Sequence, residues 1–230
     1  MKKYDSTNFF RTFFGVDNYV ADESPQITFI VKKENFDKDT LLNITTQLEK
    51  SGRKIESKTY LNTKVASNDD LLRIIEKQKL WLDLSIFSIV IAHPFDYYTI
   101  SIFGDHRVTF GHYNEYLELA QIIADNVKFV VGFDWTGNVS TQRVSMTDKL
   151  IHFYKNPIEN FPEGIFSCYL HVMFWGNDLI NTEEKEKIIK SPALRHFLTK
   201  NGVGLAYTLP GKVSHSMFDD LRDYFSKNFP

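Results

Sequence analysis

The stretch from Phe95 to Trp135 constrains the fold most, because its periodicity changes from that of a strand to that of a helix and back. Tyr98, Ile100 and Ile102 alternate with Tyr97, Thr99, Ser101 and Phe103, the period of a strand. Gly104-Asp105 carries turn chemistry, since Gly tolerates positive φ and Asp can bond its own turn backbone. Arg107 to Gly111 then reads as the return strand of a hairpin. Asn114 is predicted as a helix N-cap, with Glu115 placing negative charge near the positive helix end. Tyr116, Leu119, Ala120 and Ile123 follow at i, i+3, i+4 and i+7, so one helical face is apolar. Asp125-Asn126 ends that helix. Val127 to Asp134 is predicted as a strand with Phe129, Val131 and Phe133 on one face. Hairpin, helix and strand with these apolar faces require a sheet with a helix packed on it.

The flanking sequence repeats the mixture. Residues 1–24 read as an irregular N-terminal arm, in which Phe9, Phe10, Phe13 and Phe14 can share one face of a short helix. Ile27, Phe29 and Val31 alternate within a strand over Gln26–Lys33. Asp37 or Asp39 is predicted to cap the next helix, lined by Leu41, Ile44 and Leu48 and stopped by Gly52. A strand over Lys54–Leu61 and a helix carrying Leu71, Ile74 and Ile75 follow. Leu84 to Ala92 is apolar on both faces, which predicts a central strand stopped at Pro94. Past Thr136-Gly137-Asn138, two short strands are predicted near Gln142–Met146 and Lys149–Lys155. Ile165–Trp175 is the longest strand candidate, with Phe166, Cys168, Leu170, Val172 and Phe174 on an apolar face and His171, Met173 and Trp175 on a mixed one. Asn181 and Glu184 have capping-box spacing, with Asn as the capping residue. Ser191-Pro192 is predicted to start another helix, with Leu194, Phe197 and Leu198 inward and Asn201-Gly202 as its end. Val203, Leu205, Tyr207 and Leu209 alternate as a last strand, before a terminal amphipathic helix with Met217, Phe218, Leu221, Tyr224 and Phe225. This irregular order favours an α+β fold: a mixed, largely antiparallel sheet with helices packed on it. Residues 25–230 are expected to form the domain, either as one unit or as two similar halves divided near 125 and 126.

The 230-residue chain can bury roughly 70–75% of its unfolded surface, so folding requires neither metal nor disulfide. Cys168 is the single cysteine, which excludes an intrachain disulfide and fits a reducing compartment. A net charge of −2 without a long basic run argues against nucleic acid as a partner. No run reaches the length of a membrane span, and Asp5, Ser6, Thr7, Asn8 and Arg11 interrupt any apolar leader after Met1-Lys2-Lys3. A cytoplasmic location without a membrane partner is therefore expected, and the glycosylation patterns at Asn43 and Asn138 read as chance matches.

The chemistry-bearing residues are scattered. GxGxxG, GxxxxGK[ST], HExxH, GxSxG and CxxC are all absent. Asp105, His106 and His112, with His93 and Asp96 nearby, form the best acid–base or metal cluster, provided that a hairpin brings the histidines together. Their spacing matches no ligand motif, so solvated histidines in a polar loop are the plainer expectation. Cys168 and His171 are an odd number of residues apart, and a strand would put them on opposite faces. Asp134 and Trp135 stand at a strand end before a turn, and Trp175 and Asp178 close the longest strand. These four residues are the candidate binding site, read as aromatic anchors beside acids; turn capping is the plainer role for Asp134.

Abundant aromatics (20 Phe and 11 Tyr), near-neutral charge and missing catalytic motifs favour a non-catalytic protein-binding module without metal or cofactor. The Val203–Leu209 strand followed by a terminal helix is loosely reminiscent of immunity proteins that neutralise toxins, and a toxin is accordingly one expected partner. The alternatives are a metal-dependent hydrolase or nuclease built on Asp105, His106 and His112, and a structural subunit of an assembly.

Overall fold

A computed structural model describes residues 26–60, 63–64, 75, 79–93, 97–104, 111–135, 172–206 and 215–229. Strand β1 spans Gln26–Lys32, followed by a single 3-10 turn at Lys33–Asn35 and helix α1 at Lys38–Lys50. Strands β2 (Ser57–Tyr60), β3 (Thr63–Lys64), β4 (Leu80–Leu84), β5 (Phe87–Ala92) and β6 (Tyr97–Gly104) come next. Helix α2 (Tyr113–Asn126) leads into β7 (Phe129–Trp135). Strand β8 (Val172–Gly176), α3 (Thr182–Ile189), β9 (Arg195–Thr199), β10 (Gly202–Ala206) and α4 (His215–Asn228) complete the described elements. No helix among the described residues is long and apolar enough to cross a membrane.

The fold is α+β, around one antiparallel sheet of ten strands in the order β3-β2-β4-β5-β6-β1-β7-β8-β10-β9. The sheet runs unbroken past residues 125–126. Its two faces bury separate cores. Ile27, Phe29, Ile100 and Ile102 meet Leu41, Ile44 and Leu48 of α1 and Tyr116, Leu119, Ala120 and Ile123 of α2. On the opposite face, Ile30, Val131, Met173, Trp175, Val203 and Leu205 meet Ile188 of α3 and Leu221 and Phe225 of α4. Each large side chain buried in this way contributes about 1.5–3 kcal/mol before chain entropy is counted.

The helix ends follow local chemistry. Asp37 caps α1 by accepting from the Thr40 backbone at 2.8 Å and its hydroxyl at 2.7 Å. At the other end Gly52 adopts φ +82°, and the Gly52 and Arg53 amides donate to the carbonyls of Glu49 and Leu48. This left-handed turn satisfies two carbonyls that the helix leaves open. Asn181 and Glu184 form the expected reciprocal capping box, with bonds of 2.9 and 2.8 Å. Helix α2 starts one residue before the predicted Asn114 cap, with His112 at the N-cap position.

Pairing overturns several expectations. Strand β6 is flanked by β1 over Tyr97–Phe103 and by β5 over Thr99–Gly104, so it has no edge for a return strand at Arg107–Gly111. Its hairpin partner is β5, which precedes it. The proposed single strand over Leu84–Ala92 is divided: Leu84 closes β4, Ser85-Ile86 turns, and β5 begins at Phe87. Ser85 there takes φ +54°, the positive φ that tight hairpins need. Phe129 and Val131 do not share a face. Ile30 pairs with Val131 but Val31 pairs with Phe129, a bulge at Val130 that sends Phe129 to the first core and Val131 to the second.

The predicted helix after Ser191-Pro192 is strand β9, paired with β10 from Arg195–Ala206 to Thr199–Gly202. Its helix-like spacing of Leu194, Phe197 and Leu198 misleads, since Phe197 is buried and the two leucines are exposed. Asn201 is used as a hairpin residue, held from outside. Its side chain donates to the carbonyls of Ala124 and Asp125 at 3.2 Å each, and the Lys200 amide donates to Asp125 Oδ1 at 3.1 Å.

Candidate functional site

The register separates the four residues expected to form a binding site. Asp134 and Trp135 end β7, opposite Ile27 and Gln26 of β1. Asp178 follows β8 at the other end of the sheet and accepts from Lys32 Nζ at 3.3 Å and Lys128 Nζ at 3.4 Å. From Phe129 to Trp135, β7 covers about 20 Å, so Asp178 and Trp135 stand at opposite sheet ends. Trp175 lies between them with no exposed surface, its ring centroid 6.5 Å from that of Phe225. The mixed face anticipated for Trp175 is the second core, closed by α3 and α4, so the indole is a packing residue and not a surface anchor. Asn177 locks this strand end to the β9–β10 turn, donating from its amide to Asn201 O at 2.9 Å and from its side chain to Lys200 O at 3.3 Å.

The proton-transfer candidates are likewise not assembled among the described residues. His112 Nδ1 sits 2.7 Å from Glu115 Oε1, an exposed i, i+3 pair at the start of α2. Asp105, His106 and Asp96 lie outside the described residues, and so do Cys168, His171 and the phenylalanines of the N-terminal arm. The imidazole of His93 packs against Tyr98 with ring centroids 4.6 Å apart and planes tilted by 48°. No group of three or more His, Cys, Asp or Glu side chains with metal-holding geometry occurs among the described residues.

A different aromatic reaches the surface. Leu80, Leu82 and Leu84 of β4 turn to the first core, which puts Trp81 and Asp83 on the opposite face. Trp81 is 38% exposed and stacks on Phe103 of β6, with centroids 6.0 Å apart and planes 24° apart. The register sets Asp83 opposite Ser88 and Ser88 opposite Phe103, so the three lie side by side next to the stack. Ser88 Oγ donates to Asp83 Oδ1 at 3.1 Å, and Thr28 and Ser101 join their hydroxyls at 2.9 Å further along the same face. The arrangement is an aromatic platform bordered by the Asp83 carboxylate and the Ser88 hydroxyl on a paired sheet. Its sequence signal was the alternation Leu80-Trp81-Leu82-Asp83-Leu84, read one residue at a time.

A second exposed apolar place is at β9, where Leu194 just before the strand is 52% and Leu198 within it 66% exposed. Beside it, Ser191 Oγ donates to Ile188 O at 2.6 Å and lies 3.2 Å from His196 Nε2. The hydroxyl has one proton, so His196 must donate from Nε2. Burial holds the His196 pKa below its usual 6.5, outweighing a hydrogen bond to the Ser191 backbone.

No protein-family model and no curated protein matches the sequence. Among solved structures, the chain is similar in fold to the Pseudomonas aeruginosa T6SS protein PA0821, with a TM-score of 0.51 and 9% identity over 89% of this chain and 72% of that one.

Proposed function

We propose that the chain is a non-catalytic protein-binding module of the immunity type, which neutralises a toxin in the cytoplasm by covering part of its surface. The observation that carries this reading is the Trp81 indole, held partly exposed by its stack on Phe103 beside Asp83 and Ser88. Tryptophan offers large contact area with few rotors, and interface energy concentrates in such anchors. A paired sheet keeps the platform in place, so little order is lost on association. The fold likeness to a T6SS protein is compatible with the role.

The test begins with affinity capture of the tagged chain from its native cells. A stoichiometric partner whose toxic activity falls on addition of the chain would support the reading. Trp81→Ala should then weaken neutralisation by roughly 30-fold or more, the effect of losing about 2 kcal/mol at an anchor. A folded Trp81→Ala protein that neutralises at unchanged concentration would remove the platform from the interface. A partner that is not toxic would remove the immunity role.

A further inference from the structure

We propose that the outer edge of β9 docks an extended, acidic segment of a partner protein as an additional antiparallel or parallel strand. This surface is separate from the Trp81 platform and does not depend on the partner being a toxin. Seven strand spacings lie between β4 and β9 in the sheet order, roughly 34 Å, so one compact epitope does not span both.

Strand β9 is the last of the sheet and pairs with β10 alone among the described residues. A two-residue turn, Lys200-Asn201, joins them, and the closing pair of such a hairpin is Thr199–Gly202. Antiparallel residues alternate in direction, so Arg195, Phe197 and Thr199 bond β10 while His196 and Leu198 turn their N–H and C=O groups to the open side. Folded proteins usually blunt such an edge with proline, a bulge or inward charge. Strand β9 contains no proline, and its pairing with β10 keeps one register over five residues. Instead Leu198 on the strand and Leu194 just before it are two of the four exposed large hydrophobics among the described residues.

The edge is also rigid. Phe197 is buried and packs 5.2 Å from Phe174, and the turn is tied to α2 and to Asn177 by the bonds described above. A preorganised strand loses little entropy when a partner strand is added.

Charge selects the occupant. Residues 191–201 carry Arg195 and Lys200 and no acid; of the flanking acids, Asp125 is engaged by the Lys200 backbone amide at 3.1 Å and Glu186 of α3 faces Lys190 at 3.7 Å. A second copy would bring the same cations. In a two-fold pairing centred on Phe197, Arg195 of one copy falls opposite Thr199 of the other, next to its Lys200. An acidic strand instead matches both cations, with an apolar or β-branched residue laid against Leu198.

The experiment uses the intact isotope-labelled chain and two capped peptides, one alternating valine with glutamate and the other valine with lysine. Amide shifts and hydrogen exchange are followed by NMR. The glutamate peptide should shift the Leu194–Thr199 amides saturably and slow exchange at His196 and Leu198. Its affinity should fall with added salt, as expected for pairing of exposed charges. The lysine peptide should bind about tenfold more weakly, the effect of roughly 1.4 kcal/mol. Leu198→Lys, which removes the apolar contact and puts a charge on the edge, should weaken binding of the glutamate peptide. Unchanged amides at millimolar peptide, equal response to both peptides, or protection of the same amides by self-association alone would each overturn the proposal.

Discussion

Gly132 and Gly204 leave room for Phe29 and Phe174 to pack against the backbone at the centre of the sheet, and adding one methyl group there tests that packing. A Cβ on Gly132 would stand 2.6 Å from Phe29 Cδ1 and Cε1 and 3.2 Å from Phe174 Cβ. Ordinary carbon contacts are about 3.5–4.0 Å, so Phe29 would have to retreat by roughly 1 Å. It has nowhere to go, being fully buried with ring centroids 5.4 Å from Phe129 and 5.1 Å from Phe174. Overpacking of this kind costs about 1–3 kcal/mol, and alanine recovers about 0.5–1 kcal/mol through a less flexible unfolded chain. Gly132→Ala should therefore destabilise by about 1–2 kcal/mol, lowering Tm by roughly 2–8 °C for a chain this size. Gly204→Ala should behave alike, since its Cβ would meet the body of the Phe174 ring. Gly111→Ala is the control: nothing lies within 4 Å and the residue is helical, so it should be neutral or slightly stabilising. Urea titration followed by circular dichroism should show a lower midpoint at unchanged m for Gly132→Ala and Gly204→Ala but not for Gly111→Ala. Phe29→Leu should cost less in the Gly132→Ala background than alone, a coupling of at least about 0.5 kcal/mol. A Gly132→Ala protein as stable as the parent, or one no worse than Gly111→Ala, would refute the packing argument.

Three further outcomes are expected. Asn181→Ala removes the acceptor for the Glu184 amide and should cost about 1 kcal/mol, read as a lowered urea midpoint; an unchanged midpoint would show that α3 does not rely on its cap. His196 titrates below 6.5 when folded, so the unfolded chain binds the proton more readily. The stability His196 contributes is complete above pH 6.5 and declines as pH falls through the window below it, and His196→Gln should flatten that part of the pH–stability curve; equal slopes in both proteins would contradict the assignment. At the β4–β5 turn, Ser85 occupies φ +54°, so Ser85→Val should cost about 1–2 kcal/mol and Ser85→Gly should be close to neutral, with thermal melts of both variants deciding.

The sequence alone determined what short-range chemistry controls. Asp37 before Thr40, Asn181 before Glu184 and Gly52 after Lys50 mark helix ends because each bond spans a few residues. The alternation of Ile27, Phe29 and Val31, and the helical spacing of Tyr116 to Ile123, assigned faces correctly because each periodicity is set within one element. The α+β character followed from those faces. Only tertiary structure decided which strands are neighbours. Whether β6 turns back on Arg107–Gly111 or pairs with β5 and β1 depends on contacts far along the chain, for which local spacing carries no signal. The bulge at Val130 is a mismatch between two strands and appears in neither sequence by itself. Arg195–Thr199 has helix-like leucine spacing, and the contacts of Asn201 with the end of α2 accompany its strand state. Trp175 and Trp81 look equally suited to an interface as letters. One is covered by α3 and α4 and the other is not, a difference made by packing on the sheet.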